Sequence, residues 1–243
     1  MEGKAKMMRC AVFGASGGIG AALVEQLAAR DDVAAIYAGS RRGAVPAGPR
    51  IHPFRFDALD DEALANTMTT IGAPLDLVIV ATGRLMRADG SGPEKALRQV
   101  SADALAELFA DNAIVPAMIA RAVQPLLARD RRCTFAVLSA RVGSIGDNRL
   151  GGWHAYRASK AALNMLVRTI GVEWSRTLPQ SVAVALHPGT VATPLSAPFQ
   201  RNVAPERLFT PEVSATALLH VIDSLGPVDS GGFFAWDGSP IPY

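Results

Sequence analysis

The chain has 243 residues, 49% of them hydrophobic, with a formal net charge of +2. No apolar run approaches the roughly eighteen residues that would span a bilayer, and the basic residues are dispersed instead of forming an arm for nucleic acid. With no linker, fixed-period repeat or composition shift, the length fits one α/β domain over residues 1–243.

The elements follow in chain order. Lys4, Lys6 and Arg9 precede no long apolar stretch, so no export signal is read and the expected location is cytoplasmic. Residues 8–13 are a short apolar run stopped by glycine, a buried strand, and residues 19–29 then show helical spacing through Leu23 and Leu27. Strands are expected at 33–37, 51–56, 75–81, 134–138, 182–186 and 233–236. The clearest helices fall at 60–70, 102–127, 156–175 and 211–224, where Pro211 suits a first helical turn. This alternation predicts a single Rossmann-like, doubly wound parallel sheet flanked by helices. Cys10 and Cys133 lack the paired spacing of a metal or redox site and are expected to be reduced core thiols. The arginine cluster at 129–132 reads as a solvated turn. His52, His154, His187 and His220 are scattered and predict no metal site, and His187, alone at a strand end, reads as structural.

In such sheets ligands bind beyond the carboxyl ends of the strands. After the first strand comes Gly14-Ala15-Ser16-Gly17-Gly18-Ile19-Gly20 at the mouth of a helix. Glycines let the backbone approach a pyrophosphate, and the helix amino end presents free N–H groups to it. Gly14, Ser16, Gly18, Ile19 and Gly20 are the candidate nucleotide contacts. The second strand leads into Ser40-Arg41-Arg42, with no carboxylate for the ribose hydroxyls of NAD. A hydroxyl and guanidinium groups suit the 2′-phosphate of NADP, so NADP is expected over NAD. Asp57 closes the third strand and Ala81-Thr82-Gly83 the fourth, placing Asp57, Ala81 and Gly83 along the same crevice. Asp57 serves equally well as a helix cap, and Gly83 as a tight turn.

The strongest chemical feature is Tyr156-Arg157-Ala158-Ser159-Lys160, because a spacing of four puts phenol and ammonium on one helical face. A nearby cation favours the phenolate and is expected to lower the Tyr156 pKa from about 10.

From the glycine turn through Tyr156-x-x-x-Lys160 to Pro188-Gly189 the chain resembles a short-chain dehydrogenase/reductase over essentially its whole length. Residues 139–146, then Gly151-Gly152-Trp153-His154-Ala155-Tyr156, resemble the C-factor-like and small carbonyl-reductase branch, as do Pro93-Glu94-Lys95 and the helix after them. The resemblance implies that Tyr156 exchanges a proton with a carbonyl or alcohol while hydride moves to or from the nicotinamide. It implies that Lys160 also holds the nicotinamide ribose, and that Asn112 supports a proton-relay water. An ordinary buried hydrogen bond would explain Asn112 as well. The segment Pro188-Gly189-Thr190-Val191-Ala192-Thr193-Pro194 matches the one that closes over the cofactor, adding Pro188, Gly189, Val191 and Thr193, the last as a phosphate or amide contact.

One position departs from the family. A serine is expected where this chain has Ala140, which removes a donor to the substrate carbonyl. Ser139 lies on the opposite strand face unless a bulge intervenes, so Ser144, in the loop beyond, is the candidate replacement. The expected substrate is a modest aldehyde, ketone or alcohol, covered by residues 84–92, 141–154 and 195–206, with Trp153 and Phe199 as possible pocket walls. A homodimer or homotetramer is expected by resemblance. The competing function is a nucleotide-binding sensor or C-factor-like signalling protein with little or no turnover.

Overall fold

The computed structural model describes residues 7–41, 44–72 and 74–243; Lys4, Lys6 and Arg42 lie outside them. Seven parallel strands form one sheet in the order β3-β2-β1-β4-β5-β6-β9. They are β1 (Met8–Phe13), β2 (Val33–Ser40), β3 (Ile51–Arg55), β4 (Leu77–Val80), β5 (Cys133–Leu138), β6 (Ser181–His187) and β9 (Phe233–Ala235). Strands β4 and β5 are buried throughout, as their almost wholly apolar sequences, broken only by Thr134, demand when helices cover both faces. The helices are α1 (Gly18–Ala29), α2 (Asp61–Ile71), α3 (Ala102–Phe109), α4 (Val115–Val123), α5 (His154–Thr177) and α6 (Pro211–Ser224). One face of the sheet packs on α2, α4 and α5 through Leu64, Ile119, Leu163 and Trp174, and the other on α1 and α6 through Leu23, Leu27, Leu218 and Ile222. Every expected strand, and every expected helix but the one over 102–127, is present within a few residues, and the doubly wound parallel architecture is the one the alternation predicts.

Three differences matter. The helix expected over 102–127 is divided: α3 runs into a π-helical segment, Ala110–Ile114, before α4, and Gln124–Leu126 is a 3₁₀ turn. Pro116 supplies the reason, since it has no N–H to send to the carbonyl four residues back, that of Asn112. A two-stranded sheet of β7 (Thr190–Val191) and β8 (Leu208–Phe209) ties the loop after β6; strands of two residues carry no periodicity to read. The arginines at 131 and 132 are also not merely solvated. Arg131 Nε pairs with Asp76 at 2.5 Å, and Arg132 donates to the carbonyls of Ile222 and Asp223, bracing the amino end of the sheet.

Cys10 and Cys133 are buried free thiols, and burial pushes them up to about 12 and about 11. Among the described residues no helix is long and apolar enough to cross a membrane.

Candidate active site

The glycine turn after β1 is fixed by contacts that exclude a side chain. Gly14 has φ +92, and its N–H and that of Ala15 both donate to Gly39 O at 2.9 Å. A Cβ on Gly14 would lie 2.8 Å from the Ala81 carbonyl, and one on Gly20 only 2.1 Å from Gly14 O. The turn delivers the chain to α1, whose N-cap, Gly17, offers no side-chain cap and whose first turn holds no acid. By contrast α2, α3 and α6 are capped by Asp60, Ser101 and Thr210. The amino end of α1 therefore keeps its N–H groups and partial positive charge for an anion.

Beyond it lies a cleft of about 340 Å³ whose lining includes Ser16, Gly18, Ile19, Gly20, Ala81, Gly83, Tyr156, Lys160, Pro188 and Thr193, ten of the residues singled out from the sequence. Thr82 also lines it, with a buried Oγ1 that has no hydrogen-bond partner. An adjoining hollow of about 150 Å³ is bounded by Arg41, Asp57, Gly83, Asp111 and Val115. There the exposed Arg41 guanidinium stands 3.7 Å from Asp111, and Ser40 is buried at the end of β2. Asp57 accepts from Leu59 N at 3.0 Å, while the cap of α2 is Asp60. A third space, about 360 Å³ and mostly apolar, contains Leu85, Ala140, Trp153, Leu195 and Phe199. Gly189 and Val191 line this space and not the glycine cleft. Gly189, at φ +81, is wedged 2.7 Å, measured from a would-be Cβ, against Phe209.

Tyr156 lines both the glycine cleft and the apolar cavity, and so does Ser139. Tyr156 and Lys160 are buried on α5, with Lys160 Nζ donating to Leu138 O at 2.9 Å. The Tyr156 phenol does not follow the expected lowering: burial pushes it above its ordinary value. Burial also pulls Lys160 down to about 8. Desolvation disfavours the charged form of each group, so it moves the two in opposite directions.

Asn112 is fully buried in the π-helical segment, outside both cavities. Its Oδ1 accepts from Arg84 N at 2.7 Å, and its Nδ2 donates to Arg84 O at 2.8 Å and Ser159 Oγ at 3.1 Å. Arg84, overlooked in the sequence, clamps this segment twice: through its backbone on Asn112, and through its side chain on Glu107 and on Asp111 at 2.8 Å. The i, i+4 spacing of those two acids, with Arg84 and Arg87 following Gly83, was the available indication.

The loop serines do not replace the missing donor at Ala140. Ser144 is buried away from Tyr156: its Oγ accepts from Asp147 N at 3.1 Å, and it lines a separate groove beside Leu97 and Ile145. A 3₁₀ turn at Arg141–Gly143 directs it there, which corrects the expectation that Ser144 reaches the pocket. Ser139 does border the cavity, but its hydroxyl donates to Asn164 Oδ1 at 2.6 Å. His187 lines the apolar cavity with a buried, unpartnered Nδ1, and burial pulls it down to about 4.

Fold and site define an oxidoreductase of the dinucleotide-binding α/β class. Residues 9–204 match the family model for short chain dehydrogenases, and the chain belongs to that family. It is 36% identical over 171 residues to the C-signal of Myxococcus xanthus, spanning 70% of this chain and 93% of that protein. It is 33% identical over 234 residues to a 1-hydroxy-2-glutathionyl-2-methyl-3-butene dehydrogenase of Rhodococcus sp. (strain AD45), spanning 94% and 96%. In fold it is similar to the NADPH-bound carbonyl reductase from chicken fatty liver, at TM-score 0.84 and 23% identity over 99% of this chain and 96% of that one.

Proposed function

We propose that this chain is an NADP-dependent carbonyl reductase, able to run in reverse on the alcohol, with Tyr156 as its acid and base. The observation that carries the reading is the position of Tyr156 at the junction of two spaces, a glycine cleft that suits a dinucleotide and an apolar cavity that suits a small aldehyde or ketone. The cleft fits the cofactor: the α1 amino end and the glycines that admit no Cβ would take the pyrophosphate, the unpartnered Thr82 hydroxyl is a spare polar contact, and Ser40 and Arg41 would take the 2′-phosphate. Thr193 and Pro188 line the same cleft from the loop after β6. Bound NADPH supplies the hydride.

The protein supplies the proton and the geometry. Tyr156, at the junction of the two spaces, would donate its proton to a carbonyl oxygen, or take one back from the alcohol in the reverse direction. Lys160, anchored on the Leu138 carbonyl, would hold the nicotinamide ribose and favour the phenolate left after transfer. Asn112, held by Arg84 and Ser159, would carry the relay water that the family resemblance implies. Trp153 and Phe199, with ring centroids 4.9 Å apart, form an aromatic wall that excludes water. We further infer that residues 1–243 act as one cytoplasmic unit and assemble as a homodimer or homotetramer, with exposed Met165 and Val172 on α5 as apolar surface for a second copy.

One observation favours a second reading. Ala140 contributes no hydroxyl, while those of Ser139 and Ser144 are committed elsewhere, which fits a nucleotide-binding sensor with little turnover. Calorimetric titration with NADPH and NADH, followed by turnover on an aldehyde and ketone panel, separates the two. NADPH binding with turnover lowered about 10²- to 10⁴-fold in Tyr156→Phe is the expected outcome. Equal binding with no turnover selects the sensor, and no binding of either nucleotide removes both.

A further inference from the structure

Helix α5 begins without a cap of its own. Its N-cap, Trp153, sits at φ 52 and ψ 43 with no side-chain cap, at the end of three successive positive-φ residues, Gly151, Gly152 and Trp153. Tryptophan rarely adopts this left-handed conformation, which persists only where the surroundings enforce it. The enforcing residue comes from the loop between β4 and α3. Glu94 O accepts from Trp153 N at 2.5 Å, and the Glu94 carboxylate accepts from Ala155 N at 3.2 Å, across 61 residues of sequence. Glu94 is only 8% exposed, and Arg157 Nε adds a bond to Gly152 O at 3.0 Å.

We propose that Glu94 is a positioning residue: it caps α5 from a distant loop and so fixes Tyr156 and Trp153 at the wall of the substrate cavity. Ala155, whose N–H the carboxylate holds, is the residue before Tyr156, so a shift of this turn displaces the phenol directly. The Trp153 ring lies 6.2 Å from that of Tyr156, and both line the cavity. A carboxylate suits the place because the helix amino end carries partial positive charge and its first N–H groups have no partner within the helix. The pyrophosphate end of the glycine cleft is built on α1 and the strand ends, and Lys160 lies beyond the capped first turn of α5, so NADPH affinity is expected to depend little on this grip.

The inference rests on Tyr156 as proton donor, and the experiment separates the two. Glu94→Ala, Glu94→Gln, Glu94→Asp and Tyr156→Phe are compared in the full chain by NADPH titration, by kcat and KM on an aldehyde that the wild type reduces, and by amide exchange of a peptide covering 153–157. Glu94→Ala is expected to lower kcat about 10- to 100-fold with NADPH affinity unchanged, and to speed exchange of the first turn about tenfold. Glu94→Gln, which keeps an acceptor oxygen, restores most of both. Glu94→Asp keeps the charge on an arm one methylene too short and behaves like Glu94→Ala, which covers the case in which the alanine variant does not fold. Unchanged exchange or unchanged kcat in both Glu94→Ala and Glu94→Asp overturns the proposal, as does a parallel loss of NADPH affinity. Wild-type turnover in Tyr156→Phe overturns the acid role of Tyr156 instead, and the exchange readout still decides whether Glu94 holds the turn.

Discussion

The nucleotide side and the substrate side of this site are built by different means. On the nucleotide side backbone meets backbone: Gly14 lies against Ala81, and Gly20 against Gly14, at distances no Cβ survives. On the substrate side a short 3₁₀ turn and a two-stranded ribbon carry side chains that meet others far away in sequence, such as Phe199 with Trp153 and Phe209 with Trp236. Backbone contact admits one residue type and leaves a fixed spacing in the sequence. Side-chain contact between loops admits many combinations and leaves none.

Substitutions can break or sharpen this contrast. The largest effect is expected for Gly20→Ala, whose Cβ would fall 2.1 Å from Gly14 O. Loss of about 3 kcal/mol in urea unfolding, with NADPH binding abolished by calorimetry, is the expected result; a stable variant that still binds would show that the turn yields. Next is Arg41→Asp, which places a carboxylate where a 2′-phosphate would lie. NADPH affinity should fall about 100-fold while that for NADH changes little, and an unchanged ratio of the two would remove Arg41 from the nucleotide side. Smallest is the paired test on the substrate side, read by steady-state kinetics. Ala140→Ser should raise kcat about tenfold by adding a donor at the cavity wall, whereas Ser144→Ala should keep wild-type turnover because its hydroxyl serves Asp147. Turnover lost in Ser144→Ala would return that residue to the catalytic set.

The same contrast explains how far the sequence could be read. The glycine turn and the Tyr156 and Lys160 pair were legible from spacing, the Pro188 and Thr193 segment from the family resemblance, and the structure gathers them around one cleft. The π-helical segment at Asn112 left a trace in Pro116, but a single proline does not say whether a helix kinks, stops or widens. The upward push on the Tyr156 phenol was not legible, because a sequence displays the neighbouring cation and hides the burial.

The sequence by itself determined the order of strands and helices, the glycine positions and the helical face shared by Tyr156 and Lys160, since each follows from periodicity or a steric rule acting over a few residues. Only the tertiary structure decided that Ser144 turns away from the pocket, that Arg84 clamps Asn112, that Trp153 and Phe199 face each other, and that Glu94 caps the helix carrying Tyr156. Those contacts join residues from separate loops, and their partners are chosen by how the helices and loops pack around the finished sheet, which no local pattern encodes.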